Sequence, residues 1–174
     1  MLLDLSRIRT PHERYEKVYE PGAFAVEPDN FRVVRPAALA FDIFRDKAQF
    51  RLAGSVQTVL EVSCSRCVEP FTIPVDADFD LRYQPHTQNA GEDEREIAED
   101  DLTTAFYADD EIDLGQLMRE QFYLALPMKP LCDPGCHGLC PECGTNLNRD
   151  TCTCTHEWED PSLAVLKTLA RKDN

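Results

Sequence analysis

Val56-Gln57-Thr58-Val59-Leu60-Glu61-Val62-Ser63-Cys64-Ser65-Arg66-Cys67, followed by Phe71-Thr72-Ile73-Pro74-Val75-Asp76-Ala77-Asp78-Phe79-Asp80-Leu81, decides how this chain folds. In the second run Phe71, Ile73, Val75, Ala77, Phe79 and Leu81 fall on one parity, and Thr72, Asp76, Asp78 and Asp80 on the other. A period of two is the signature of a strand with one face buried and one face wet. Val56, Thr58, Leu60 and Val62 repeat the alternation ahead of Cys64. Cys64-Ser65-Arg66-Cys67 therefore reads as the turn between two antiparallel strands, with Glu69-Pro70 completing the reversal. Upstream, Leu39, Phe41 and Ile43 give another strand, and Asp46-Lys47 reads as a hairpin tip before Phe50 and Leu52. At least four antiparallel strands in succession predict a β meander or a small open barrel.

The period changes after Asp113. Asp113 suits a helix N-cap, and Gln116 three residues on gives a capping-box-like start. Leu114, Leu117, Met118, Phe122 and Ala125 share one face until Pro127 stops the helix. Such a stripe covers a sheet. Near the C-terminus, Asp160 and Pro161 supply a cap and first-turn pair, Leu163, Leu166 and Leu169 form a narrow stripe, and Lys167, Arg171 and Lys172 suit the negative end of the dipole, so a short closing helix is expected. At the other end Leu2, Leu3 and Leu5 read as an edge strand. Pro11 to Tyr19 reads as a short helix with Tyr15, Val18 and Tyr19 on one side. The fold class is α+β, divided into a β core with an N-terminal arm (1–84), an acidic linker (85–112), a helix on the sheet (113–127) and a Cys-rich module with its closing helix (128–174).

Of 174 residues 43% are hydrophobic, enough for one ordinary domain with a small appendage, and the net charge is -14. Between Pro85 and Asp113 eleven acids face one base, Arg95, so that stretch carries -10 of the total. Like charges repel and few apolar residues are available there, which predicts a solvated linker. Thr104-Ala105-Phe106-Tyr107 is the exception and can dock as a strand, while the flanking acids suit a basic partner such as a ribosomal protein. Met1 to Arg7 has an early acid and no long apolar run, unlike a secretory signal, and no segment approaches a bilayer span. The expected compartment is the cytoplasm, with reduced cysteines and no membrane partner.

Eight cysteines carry the chemistry. Cys140-Pro141-Glu142-Cys143-Gly144, with Cys152-Thr153-Cys154 within ten residues, places four thiolates where they can converge on one tetrahedral ion, and Zn²⁺ bound by four thiolates is the usual structural arrangement. A two-residue spacer lets both sulfurs of a CxxC turn face one point. Pro141 presets the turn and Gly144 lets the chain reverse. The one-residue spacer of Cys152 and Cys154 is the less usual donor pair. Cys64 and Cys67, with Cys132 and Cys136 more than sixty residues away, allow a second four-thiolate site, but spacing alone does not show that the pairs meet. The alternative for Cys64 and Cys67 is a thiol redox pair or a zinc carrier. A thioredoxin-type motif opens a helix after a strand, whereas this one interrupts strand-like sequence.

Enzymatic readings find little support. His12 and His86 lie in polar stretches, and His137 and His156 beside cysteines. GxSxG, Walker and dinucleotide motifs are missing. A zinc held by four thiolates lacks the open position that catalysis uses. The expectation is therefore no enzyme, and a structural metal worth on the order of 10 kcal/mol to the folding of its segment. Arg32, Arg35, Arg45, Lys47 and Arg51 form a basic patch if the hairpin gathers them, but a chain at -14 is poorly suited to phosphate contact.

Cys64-Ser65-Arg66-Cys67, Ala125-Leu126-Pro127 leading into Pro130-Leu131-Cys132, the phrase from Gly138 to Asn148 and Cys152-Thr153-Cys154 with the Asp160-Pro161 start together resemble the bacterial YceD family, the large ribosomal RNA subunit accumulation proteins. The phrase from Leu131 to Asn148 is its most specific part. The resemblance implies a role in accumulation or processing of large-subunit (23S) rRNA, hence in ribosome biogenesis. It also implies two separable quartets, Cys64, Cys67, Cys132 and Cys136 in one, and Cys140, Cys143, Cys152 and Cys154 in the other. With the charge, it points to a basic ribosomal protein or a large-subunit assembly intermediate as partner, direct rRNA contact being secondary.

Overall fold

The structure, a computed structural model, describes residues 1–24, 30–85 and 104–154. The two alternating runs flanking Cys64 to Cys67 form β5 (Gln49–Ser63) and β6 (Pro70–Pro85), paired antiparallel from Phe50 opposite Tyr83 to Ser63 opposite Pro70. Their alternation is realised. Leu52, Val56, Thr58, Leu60 and Val62 of β5 and Val75, Phe79 and Tyr83 of β6 are buried, while Asp76, Asp78 and Asp80 face water. β4 (Ala37–Asp46) lies on the other side of β5, completing a β4-β5-β6 meander. The β4–β5 loop is one residue later than expected. Asp46 pairs with Gln49, so Lys47 and Ala48 form the tip, and Lys47 takes φ 56°.

β2 (His12–Tyr19) runs antiparallel to β4 and replaces the helix expected over 11–19. Tyr15 and Tyr19 share one parity as well as one helical face, and the open edge of β4 selects the extended form. Tyr15 stacks on Phe41 at 4.9 Å and its hydroxyl meets that of Tyr19 at 3.2 Å, while Val18 is left 61% exposed. β3 (Phe31–Val33) continues beside β5 beyond the end of β4. β7 (Thr104–Tyr107), from the acid-rich stretch, adds to β6 in parallel. Tyr107 pins it there, packing on Phe50 at 5.8 Å and donating its hydroxyl to the Ala48 carbonyl at 2.8 Å. Among the described residues the order β2-β4-β5-β6-β7 is open at both ends, with no closure into a barrel.

A smaller sheet pairs β1 (Leu2–Asp4) with β8 (Glu111–Asp113). The turn before β8 uses Asp109 and Asp110 at φ 54° and 56°, conformations to which short polar side chains are suited. Two acids of the charged stretch thus serve the backbone. Asp113 then caps α1 (Leu114–Ala125), accepting from the Gly115 and Gln116 N–H groups. Burial opposes ionisation of Asp113, but those donors and the Met1 ammonium at 3.3 Å hold its carboxyl below the ordinary aspartate value. The capping box is not reciprocal, because the Gln116 amide turns to Glu120.

Leu114, Leu117, Met118 and Phe122 pack onto the inner face of the large sheet, with Phe24 and Phe31 each 5.8 Å from Phe122. Ala125, expected on the same face, is exposed. The stretch with Leu163, Leu166 and Leu169, for which a closing helix is expected, the histidines His86 and His156, and residues 86–103 lie outside the described residues. Among the described residues no helix is long and apolar enough to cross a membrane.

Gly54 is the closest point of the meander. A Cβ there would lie 2.1 Å from the Ala40 carbonyl oxygen and 2.4 Å from the Phe41 Cα, both backbone atoms that cannot swing aside. Gly54→Ala is expected to cost at least about 2 kcal/mol, read as a lowered urea midpoint of the metal-loaded protein. An unchanged midpoint would contradict this close approach.

Candidate metal centres

The β5–β6 ladder delivers the first centre. Cys64 follows Val62 on the buried parity, so the register that fills the core also turns its sulfur inward, and Cys64 and Cys67 are 2% and 4% exposed. The loop after α1 returns to the same hairpin end, where the Ser65 N–H donates to the Pro130 carbonyl at 2.8 Å. Cys132 and Cys136 arrive with it on a turn in which Asp133 accepts from the Gly135 and Cys136 N–H groups. The four sulfurs lie within 4.8 Å of one another, with Cys64 to Cys136 at 3.8 Å and Cys67 to Cys132 at 3.7 Å. A disulfide needs about 2.05 Å, whereas thiolates about 2.3 Å from a shared tetrahedral ion stand about 3.8 Å apart. Both separations suit thiolates around a shared tetrahedral ion, so the cluster can hold a metal.

The second centre gathers Cys140, Cys143, Cys152 and Cys154, again with all four sulfurs within 4.8 Å. Its CxxC turn is built like the first. The Cys64 N–H donates to the Glu69 carbonyl and the Val68 N–H to the Cys64 carbonyl, each at 2.9 Å. The Cys140 N–H likewise donates to the Thr145 carbonyl at 2.8 Å and the Gly144 N–H to the Cys140 carbonyl at 2.9 Å. The residue after the second cysteine is left-handed in both, Gly144 at φ 72° and Val68 at φ 62°. Glycine accepts that conformation freely; a β-branched residue is strained there.

Arg66 ties the two centres together. Its guanidinium donates to the Cys136 carbonyl at 2.8 Å, and its own carbonyl accepts from the Leu139 N–H at 3.2 Å. Gly138, at φ 79°, lets the chain pass that close, since a Cβ would sit 3.1 Å from the Arg66 oxygen. Asn148 crosses back from the second loop. It accepts from the His137 N–H at 2.8 Å and directs its amide at the Cys136 sulfur at 3.2 Å. The Thr145 hydroxyl stands 3.1 Å from the Cys143 sulfur. Cysteine spacing reveals ligands and not these supports, although Asn148 closes the most specific phrase of the family resemblance.

The donors polarise the thiols. N–H groups of Cys67 and Cys132 lower Cys64 to about 6, and the Thr145 hydroxyl, followed by its N–H, lowers Cys143 to about 6. Loss of solvent and the neighbouring sulfurs push Cys132 up to about 12, and proton sharing with Cys143 does the same for Cys154. Four sulfurs in contact resist carrying four negative charges by themselves. A dication held by the four sulfurs would remove that resistance, because a coordinating thiol is deprotonated outright. Each cluster can hold one metal ion.

The arginines form no common patch. Arg32 sits opposite Glu61 of β5 and Arg51 ten residues earlier, about 33 Å apart along a strand. Arg32 pairs with Glu61 at 2.7 Å and Arg51 with Asp80. Arg45 donates to the Ile8 carbonyl at 2.7 Å and lies over Phe50.

The sequence profile described as "Large ribosomal RNA subunit accumulation protein YceD" matches residues 52–170, a span holding all eight cysteines. The chain is similar to the "Large ribosomal RNA subunit accumulation protein YCED homolog 1, chloroplastic" of Zea mays, 32% identical over 142 residues that cover 68% of this chain and 48% of that protein. The protein of the same name from Arabidopsis thaliana is 28% identical over 155 residues, covering 77% and 48%. An uncharacterized protein of Mycobacterium tuberculosis is 28% identical over 174 residues, covering 95% and 79%. The chain thus spans about half the length of the plant relatives. No solved structure matches it.

Two outcomes follow from the geometry of the turns. Val68→Gly should stabilise the metal-loaded protein by about 1 kcal/mol by removing left-handed strain, while Gly144→Val should destabilise it by a similar amount or more; equal effects of one sign on thermal melting would refute the equivalence. Asn148→Ala should weaken metal retention at the first centre by about 10- to 100-fold. Competition with a chelator checks this, and an unaltered two-phase metal release would argue against the contact.

Proposed function

The chain belongs to the YceD family of large ribosomal RNA subunit accumulation proteins, and on that premise we propose that it is a noncatalytic zinc-binding factor of ribosome biogenesis. It supports accumulation or processing of large-subunit (23S) rRNA by binding a basic ribosomal protein or an assembling large subunit. The observation that carries the reading is the coincidence of the family match with two convergent cysteine quartets, since every cysteine of both falls within the matched span.

Zinc is the ion of choice because four thiolates without an open position suit a structural d¹⁰ cation. Its work is mechanical. It closes the hairpin end onto the 128–154 loop, which otherwise has few apolar residues to hold it, and leaves a rigid surface for docking. Burial of Cys64 and Cys67 weighs against the redox or zinc-carrier alternative, which needs an accessible thiolate.

Partner choice follows from charge. The stretch from Pro85 to Asp113 carries -10 of the net -14, a field that draws basic proteins and repels phosphates. Among the described residues Arg32 and Arg51 are each paired with an acid, which weakens their pull on phosphates. Direct rRNA contact is accordingly secondary, and the place of action is the cytoplasm.

Elemental analysis of the purified chain should give two zinc ions, and chelation should unfold the 128–154 region while the meander persists. In cell extracts at low salt the protein should sediment with large-subunit precursors, and its depletion should lower 23S rRNA relative to small-subunit rRNA. Sedimentation only with free protein would defeat the assembly reading; one zinc or none would defeat the two-centre reading.

A further inference from the structure

Among the described residues β2 pairs only with β4, so the long outer edge of the large sheet carries a row of unpaired main-chain groups. The hydrogen bond from the Arg45 N–H to the Pro11 carbonyl shows which groups these are. Main-chain groups alternate in direction along an antiparallel strand. Pro11 faces β4, and with it Glu13, Tyr15, Lys17 and Tyr19; those of His12, Arg14, Glu16 and Val18 face away. In keeping with this, the His12 carbonyl takes the Thr10 hydroxyl at 2.9 Å, leaving one lone pair open.

We infer that this edge is a self-association surface, on which β2 of a second copy pairs antiparallel about a two-fold axis at Tyr15. Charge selects both the occupant and the register. In a chain of net charge -14 this strand holds two acids, Glu13 and Glu16, and two bases, Arg14 and Lys17, so the edge itself is neutral. Two-fold pairing through the outward groups centres on one residue, which then meets its own copy. Centres on Glu13, Arg14, Glu16 or Lys17 oppose like charges, which is destabilising. Centring on Tyr15 opposes two tyrosines instead. It also brings Arg14 and Glu16, which pair within one copy at 2.7 Å, opposite Glu16 and Arg14 of the other, and Glu13 opposite Lys17, each twice, with His12 meeting Val18. Side-chain parity is kept, so the polar face of one sheet continues into that of the other. Charged residues on an edge strand ordinarily block pairing; here they block every neighbouring register and permit one. The exposed Val18 would be covered in the pair.

The test uses the full, metal-loaded chain. Sedimentation equilibrium should give twice the monomer mass for the wild type. Arg14→Glu and Glu16→Arg should each sediment as monomers. An equimolar mixture of the two should regain the dimer mass, because the introduced glutamate of one chain then faces the introduced arginine of the other, and the retained Glu16 faces the retained Arg14. Residue-resolved amide exchange on the wild type needs no variant: protection of His12, Arg14, Glu16 and Val18 should be lost on dilution, while that of Tyr15 and Lys17 persists. A monomeric wild type, or concentration-independent exchange at these amides, overturns the inference. So does a dimer indifferent to both substitutions.

Discussion

The ladder between β5 and β6 constrains everything else in this molecule. It runs from Phe50 opposite Tyr83 to Ser63 opposite Pro70, and one parity of it supplies Leu52, Val56, Leu60, Val62, Val75 and Phe79 to the core. A slip of one residue would turn that whole set outward, so burial holds the register firmly. The next residue on the buried parity of β5 is Cys64. Core packing and the placement of Cys64 and Cys67 are consequently set by the same constraint, and the position of the first cysteine cluster follows from the hydrophobic effect.

From that end of the hairpin, order passes outward through polar contacts. Arg66 holds the returning loop by its carbonyl and its guanidinium, Gly138 gives the loop room to pass, and Asn148 reaches back to the Cys136 sulfur. Each centre contributes supports to the other, in a loop with little apolar side chain to hold it. The repeated CxxC turn also shows a local solution used twice with unequal comfort, glycine at the left-handed position in one and valine in the other.

Charge is divided among distinct tasks. Asp113 caps α1, Asp109 and Asp110 make the turn into β8, Asp80 holds Arg51, and Asp42 engages both His12 and Arg14. These exposed pairs contribute little stability individually. Their consequence is that the arginines of the sheet face are occupied, while the edge strand β2 is balanced in sign. A net charge read as one number conceals this partition.

Alternation along β4, β5 and β6, the Asp113 cap, the amphipathic face of α1 and the spacing of the CxxC turns were legible in the amino-acid order, because each depends on neighbours a few residues apart. Pairing of Cys64 and Cys67 with Cys132 and Cys136 was not, since residue spacing carries no record of a contact across more than sixty positions; only the family resemblance implied it. Nor was the state of His12–Tyr19, whose pattern suits a helix or a strand until a free edge of β4 is there to choose. The parallel addition of β7 likewise depends on the edge β6 leaves open. Local geometry and polarity were written in the sequence; the choice among partners was made by which surfaces and edges remained unsatisfied once the meander had formed.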